Sequence, residues 1–347
     1  MSRFADELRS LVDDLAAAGG PGLWERLCEL GLHRIGIEEE RGGSGGSLDD
    51  LLVVVESLAR HGIGVPLIEA STADWVLGHG RAEGRAPDGA LATIHLLDHD
   101  DDPHDPHAPH DDDHDDHDSA APDTVTAELP AVPWARDAAR LVLCPPRRAP
   151  FVIDLGHPSV TIRPGENLAG EPRDTVVLTD TPAGTVDGAP SPPAVRERIA
   201  LLWSAAVLGA AHGAYRLTRS YVVQRHQFGA PLIKIPAVAG NLARMRVHLV
   251  QADAALALAR EAGPSGGAVD IARVTTAAAA TEIARIAHQL HGAMGITAEY
   301  PLHHLTRRLW SWRDAVESER GWAERLGRLA AGAGETGVWT RITATGR

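Results

Sequence analysis

The stretch YVVQRHQFGAPLIKIPAVAGNLARM, residues 221–245, runs out of one helical segment, turns at Phe228-Gly229 and enters another that begins at Pro236. On both sides the chain keeps a helical texture. Long helices are predicted near 193–225, 236–262, 268–291 and 301–331, with Pro192-Pro193 suiting a helix start. Gly263-Pro264-Ser265-Gly266-Gly267 breaks the series between the second and the third. Their lengths and Ala/Leu-rich faces point to antiparallel bundle packing.

Upstream, residues 1–80 also read as helices. Phe4, Leu8, Leu11, Val12 and Leu15 recur at helical spacing until Gly19-Gly20-Pro21, and LWERLCEL ends at Gly31. A glycine-rich loop then leads into Ser47-Leu48-Asp49-Asp50, an S-x-x-D capping signature for LLVVVESLARHG. No G-K-S/T follows this loop, so it is read as a helix-capping loop and not as a phosphate cradle. From about residue 85 the helical period is lost, and LATIHLL, RLVLC, FVIDL, VTIRP and TVVLTD appear as short strands between Pro and Gly. The fold class is therefore α+β, mainly α. Residues 1–82 form an N-terminal helical domain, 83–190 a small middle β-domain, 191–331 a C-terminal four-helix bundle and 332–347 a tail.

The formal charge of −14 misleads, because residues 98–118, DHDDDPHDPHAPHDDDHDDHD, hold eleven Asp and no Lys or Arg. Prolines and like charges cannot bury a core, so this run is expected to be a solvated, disordered insert whose six histidines chelate metal only incidentally. No metal site is assigned, and a metal-handling function rests on this run alone. Without a basic stripe there is no electrostatic footprint for nucleic acid. Cys28 and Cys144 form no metal or redox spacing and read as buried reduced thiols. The longest apolar run, IALLWSAAVLGAA at 199–211, falls short of the ~20 residues that cross a bilayer. The N-terminus lacks a secretory core, which leaves a cytoplasmic protein as the expectation.

Three segments in order carry a resemblance: ELGLHRIGIEEERGGSGGSLDDLLVVVESLAR, the 221–245 stretch with its R-x-Q-F-G, and QLHGAMGITAEYPLHHLTRR at 289–308. Together they resemble the acyl-CoA dehydrogenase flavoprotein family. The resemblance implies that Arg225, Gln227 and Phe228 hold the pyrophosphate-adenosine part of a FAD bound mainly by a neighbouring subunit. A forked guanidinium neutralises a pyrophosphate oxygen, Gln227 adds a hydrogen bond, and Phe228 packs the turn at Gly229. Gln289, Gly292 and Ala293 would approach the same cofactor, with little side chain to keep it from the backbone.

The chain departs from the family at chosen points. Ile235-Pro236 replaces the Phe-Gln or His-Gln pair, and Ala293 replaces the second glycine of Q-x-x-G-G. Neither a T-E-P-x-x-G-S-D loop nor a W-x-T-N-G strand, which cradle the flavin ring in the family, occurs between residues 80 and 190. Dehydrogenation of an acyl thioester needs a carboxylate beside the α-carbon while the flavin takes the β-hydride. Counting from Gln289 puts the family's usual base position at Val316; the rarer one, counted from Gly209, falls on Ile199. Glu317 is the nearest substitute, one residue off, with Asp314, Glu319 and Glu197 in the vicinity.

Some family members, actinobacterial ones with bulky substrates among them, are heteromers in which one chain supplies ring contacts and base. The resemblance thus implies a subunit of a FAD-dependent acyl-CoA or acyl-carrier dehydrogenase, lacking its own base. It would work with a second dehydrogenase-like chain, or as a homodimer. The alternative is a repurposed fold without redox activity: a scaffold, or a cyclase or isomerase.

Overall fold

The computed structural model describes residues 3–79, 90–97, 124–263 and 267–344. The Asp/His run at 98–118 lies outside the described residues. The chain packs as two compact units, one gathering Met1–Gly19, Leu52–Gly64 and Ala200–Arg347, the other Gly20–Leu51 and Val65–Ile199.

Helix α1, Arg3–Ala18, buries Ala5, Leu8, Val12 and Ala16 at three- and four-residue spacing and leaves Phe4 and Leu11 exposed. It stops at Gly19 and Gly20, whose φ values of 53° and 88° no helix can continue. Helix α2 spans Leu23–Glu29. Helix α3, Leu48–Arg60, opens on the capping box read from the sequence: Asp50 N donates to Ser47 Oγ at 3.2 Å, and Ser47 N to Asp50 Oδ2 at 2.9 Å. Helix α4, Leu67–His79, is buried along most of its first two turns.

The middle module is a curled sheet of β1 (Ala92–Leu96), β2 (Thr124–Pro133), β3 (Arg140–Cys144), β4 (Phe151–Asp154), β5 (Val160–Arg163) and β6 (Arg173–Thr185). Its order is β1-β3-β4-β6-β2, with β5 also on β6. Five of these are the short runs expected from composition. β2 is the one that was not, because TVTAELPAVP carries two prolines and a glutamate; the ladder tolerates them through irregularities after Val125 and Leu129, with Ala131 at φ 54°. Thr93 of β1 donates to Pro133 O of β2 at 2.7 Å, tying the two ends of the strand path. At the start of β6 lies fully buried Asp174, which accepts from Arg136 N at 2.8 Å, Arg136 Nε at 2.8 Å and Gly165 N at 3.0 Å. Burial raises its pKa, but the hydrogen bonds from the Arg136 side chain and the two backbone N–H groups outweigh burial and hold the carboxyl below the usual range.

The bundle contains α5 (Pro192–Gln224), α6 (Pro236–Ala262) and α7 (Ala268–His291), at the bounds expected from sequence to within a residue or so. The single segment expected at 301–331 is instead two helices, α8 (Leu302–Trp312) and α9 (Glu319–Ala344), and α9 itself bends at Gly334. The break at 313–318 arises because buried Arg273 of α7 binds the carbonyls that α8 would otherwise pass on to a further turn. In the same unit α5 lies against α3 backbone to backbone. A Cβ on Gly209 would stand 2.3 Å from Glu56 O, and one on Gly213 2.3 Å from Arg60 O.

Gly209→Val should therefore destabilise the fold by roughly 2–4 kcal/mol, since neither helix can shift without opening buried apolar surface, and urea denaturation reads the loss. Asp174 makes a separate expectation about acid. A carboxyl held low in the folded state contributes its stability fully above the unfolded pKa of about 3.9 and loses it as pH falls further. Asp174→Asn should lower Tm at neutral pH and flatten the fall of Tm below about pH 4; an unchanged acid limb would contradict this role.

Candidate functional site

The decisive 221–245 stretch folds as a helix end, a hairpin and a helix start. Strands β7 (His226–Gln227) and β8 (Ala230–Pro231) pair across Phe228-Gly229, with φ of 53° and 78°. Positive φ at both central residues is the type I′ hairpin geometry, which glycine accepts and phenylalanine adopts under strain. Phe228 consequently does not pack the turn as the sequence reading had it: its side chain stands off the hairpin tip, 91% exposed. Arg225 closes α5, its N–H donating to Tyr221 O at 2.8 Å, and its carbonyl accepts from Leu232 N at 2.8 Å. The guanidinium of Arg225 and the side chain of Gln227 are exposed and meet no hydrogen-bond or ion-pair partner among the described residues.

The second motif joins the first at this end of the unit. Tyr221, one helical turn before Arg225, stacks on His291 with ring centroids 4.4 Å apart, and its hydroxyl donates to His291 O at 3.4 Å. Tyr300 completes the cluster through its hydroxyl, 3.2 Å from His291 Nε2. Gln289, Gly292 and Ala293 lie exposed around the end of α7. Gly292 turns the chain at φ 57°, and a Cβ there would meet nothing within 4 Å, so the backbone faces open space. Burial lowers the pKa of His291 and so favours the neutral ring, and the bond to Ala287 O partly opposes it. An unpaired guanidinium, an amide and open backbone suit the phosphate-bearing end of a dinucleotide. Ring-cradling motifs remain absent from the described strands.

Val316 and Glu317 sit in the 313–318 connection. Arg273, fully buried, donates to Trp312 O at 3.2 Å, Arg313 O at 2.7 Å and Ala315 O at 3.0 Å. Burial pulls its guanidinium down to about 10, against the opposing pull of Asp314. Directly after this clamp Val316 takes φ 74°, a left-handed conformation that a β-branched residue adopts only when its surroundings enforce it. Glu317 does not occupy that position. Its carbonyl accepts from Trp322 Nε1 at 3.2 Å, and its Oε1 packs 2.1 Å from where a Cβ of Gly321 would stand, in the first turn of α9. Asp314 pairs with Arg313 at 2.9 Å.

At the second base position Ile199 is buried, 4% exposed, on α5. Beside it Arg198 is equally buried and lies over the Trp75 ring at 4.7 Å, with Nε and Nη2 lacking hydrogen-bond partners; burial brings it down to about 10. Arg198 and Arg273 were missed in the sequence because nothing in an Arg-rich chain marks which guanidinium is interior. Cys144 is a free buried thiol pushed up to about 12 by burial, while Cys28, also free, is only half-buried. Among the described residues no group of three or more His, Cys, Asp or Glu could hold a metal, and no helix is long and apolar enough to cross a membrane.

The model of the acyl-CoA dehydrogenase C-terminal domain matches residues 195–312, and that of the N-terminal domain matches residues 2–85. Among curated relatives, acyl-CoA dehydrogenase IpdE2 of Mycobacterium tuberculosis is 28% identical over 311 residues, covering 88% of this chain and 85% of the relative. Among solved structures, a variant of the Tcur3481-Tcur3483 steroid ACAD superposes with TM-score 0.80 at 22% identity, over 94% of this chain and 98% of that one. The ChsE4-ChsE5 complex from Mycobacterium tuberculosis gives TM-score 0.80 at 19% identity, over 94% and 97%. At such identities the structural likeness is one of fold.

The clamp on the 313–318 connection is open to a direct check. Arg273→Met keeps the volume but strands three carbonyls, and should cost about 3 kcal/mol in denaturant unfolding, well beyond the effect of Arg320→Met on the surface of α9.

Proposed function

Because this chain belongs to the acyl-CoA dehydrogenase family, we propose that it is a base-less subunit of a cytoplasmic, FAD-dependent acyl-CoA or acyl-carrier dehydrogenase, working with a related partner chain. One contrast carries the reading. The edge suited to a dinucleotide is kept, with Arg225 and Gln227 unpaired, while both base positions, Val316 and Ile199, are apolar. A bound flavin would supply the hydride acceptor for the β-carbon of the acyl thioester. The residues of this chain then have a limited task. Arg225 neutralises a pyrophosphate oxygen, Gln227 adds a hydrogen bond, Gly292 and Ala293 let the dinucleotide lie near backbone, and Phe228 presents its exposed ring to whatever covers the hairpin.

Proton abstraction falls to the partner. Glu317, turned into the first turn of α9, and Glu197, beside a position taken by Ile199, leave no carboxylate of this chain at either counted place. Two similar structures are of the paired chains Tcur3481-Tcur3483 and ChsE4-ChsE5, which supports a heteromeric arrangement here.

The test is co-expression with a neighbouring dehydrogenase-like reading frame, followed by the visible spectrum and an acyl-CoA dehydrogenase assay. The complex should be yellow and active, the isolated chain colourless and inactive, and Arg225→Ala in the complex should lower flavin content several-fold with the complex intact. An isolated chain that is yellow and dehydrogenates an acyl thioester would sink the proposal, and a flavin-free homodimer that binds no related chain would move it to the repurposed reading.

A further inference from the structure

Four helices of one compact unit enclose an open cleft of about 450 Å³ that the reading above does not use. Arg9 of α1 and the Glu56–Arg60 pair of α3 wall one part of it; His212, Tyr215 and Arg216 of α5 and Arg246 of α6 wall the rest. The glycine contacts of α5 with α3 build it, since only at that backbone distance do side chains from successive turns of both helices line one cleft.

The lining holds four guanidiniums against one carboxylate. The acids around it are engaged: Glu56 Oε1 accepts from Arg60 at 2.7 Å, Asp13 meets His61 at 3.1 Å, Asp253 meets His212 at 2.8 Å, and Asp6 lies 3.6 Å from Arg9. Arg216 and Arg246 are exposed and have no ion-pair or hydrogen-bond partner among the described residues, and the Tyr215 hydroxyl has none either. The cleft therefore offers two forks and a hydroxyl that no side chain among the described residues occupies, the acids nearby being held by Arg9, Arg60, His61 and His212. A planar carboxylate satisfies one fork; a tetrahedral phosphoryl group has oxygens for both and a third for the hydroxyl. A cleft of this size falls in the range of small-molecule sites and leaves room beyond a bare oxyanion.

We propose that this cleft binds the phosphoryl or diphosphoryl group of a small molecule, gripped by Arg216 and Arg246, with Tyr215 donating a third hydrogen bond. Such a ligand is either inorganic or the phosphate end of an organic molecule. Titration calorimetry of the full chain at low ionic strength, with pyrophosphate and with ADP as probes, separates the two. Saturable binding of both at similar affinity assigns a bare phosphate site; tighter binding of ADP assigns an organic phosphate. In either case Arg216→Gln with Arg246→Gln should weaken binding by about tenfold or more, and each single substitution by less. Arg147→Gln, an exposed arginine of the other unit, should leave it unchanged. The single variants carry the test should the double variant melt early. No saturable heat from either probe, undiminished binding by the arginine variants, or an equal loss in Arg147→Gln would overturn the proposal.

Discussion

Helix α5 can lie on α3 only because Gly209 and Gly213 carry no side chain. At 2.3 Å from the carbonyls of Glu56 and Arg60, even a methyl group has no room, so the two helices meet through backbone and the surrounding apolar residues close over them. That contact is local, but its lever is long. α5 is 33 residues, about 50 Å at helical rise, and its last turn is where Tyr221 stacks on His291 and where Arg225 begins the hairpin. The place of the Arg225 hairpin therefore follows from a pair of glycines about three to four turns away. The arginine-lined cleft follows from the same pair, being walled by side chains on either side of the contact.

A second constraint is electrostatic. Buried guanidiniums are expensive unless their donors are used, and Arg273 uses Nη2 on three carbonyls at the end of α8 while its Nε and Nη1 find no partner. The result is a connection of fixed shape at the position counted from Gln289, holding Val316 in a left-handed conformation. The rigid frame is present and the carboxylate is not. Arg198 likewise keeps two nitrogens unsatisfied and is buried over Trp75, next to Ile199. Val316 and Ile199 thus each have a buried arginine close by in the packing or the chain, Arg273 bonded to carbonyls and Arg198 stacked over a ring.

Much of this was legible in the chain itself. α6 and α7 were read at their observed bounds because Gly263 and the residues that follow break two long Ala- and Leu-rich runs, and the capping box at Ser47 needs only neighbours three residues apart. Strand β2 was not legible, since its prolines and glutamate are acceptable only where bulges spare the ladder, and those depend on β6. The break between α8 and α9 was hidden for a similar reason. SWRDAVESERGW has no glycine or proline at the break, and what ends α8 there is an arginine some forty residues earlier in the chain. Phe228 was misplaced because turn type, and with it the direction of the side chain, depends on the pairing of β7 with β8.

The amino-acid sequence by itself determined the helical and strand periods, the order of helical, β and helical segments, the family, and the apolar identity of Val316 and Ile199, because all of these are properties of near neighbours and of counted spacing. Only the tertiary structure decided which arginines are interior, that Glu317 turns toward α9, that Phe228 stands free of its turn, and that arginines from α1, α3, α5 and α6 share one cleft. Those outcomes depend on burial and on contacts between residues distant in the chain, and the energy of a charged or aromatic side chain changes by more on crossing from water to the interior than any local pattern records.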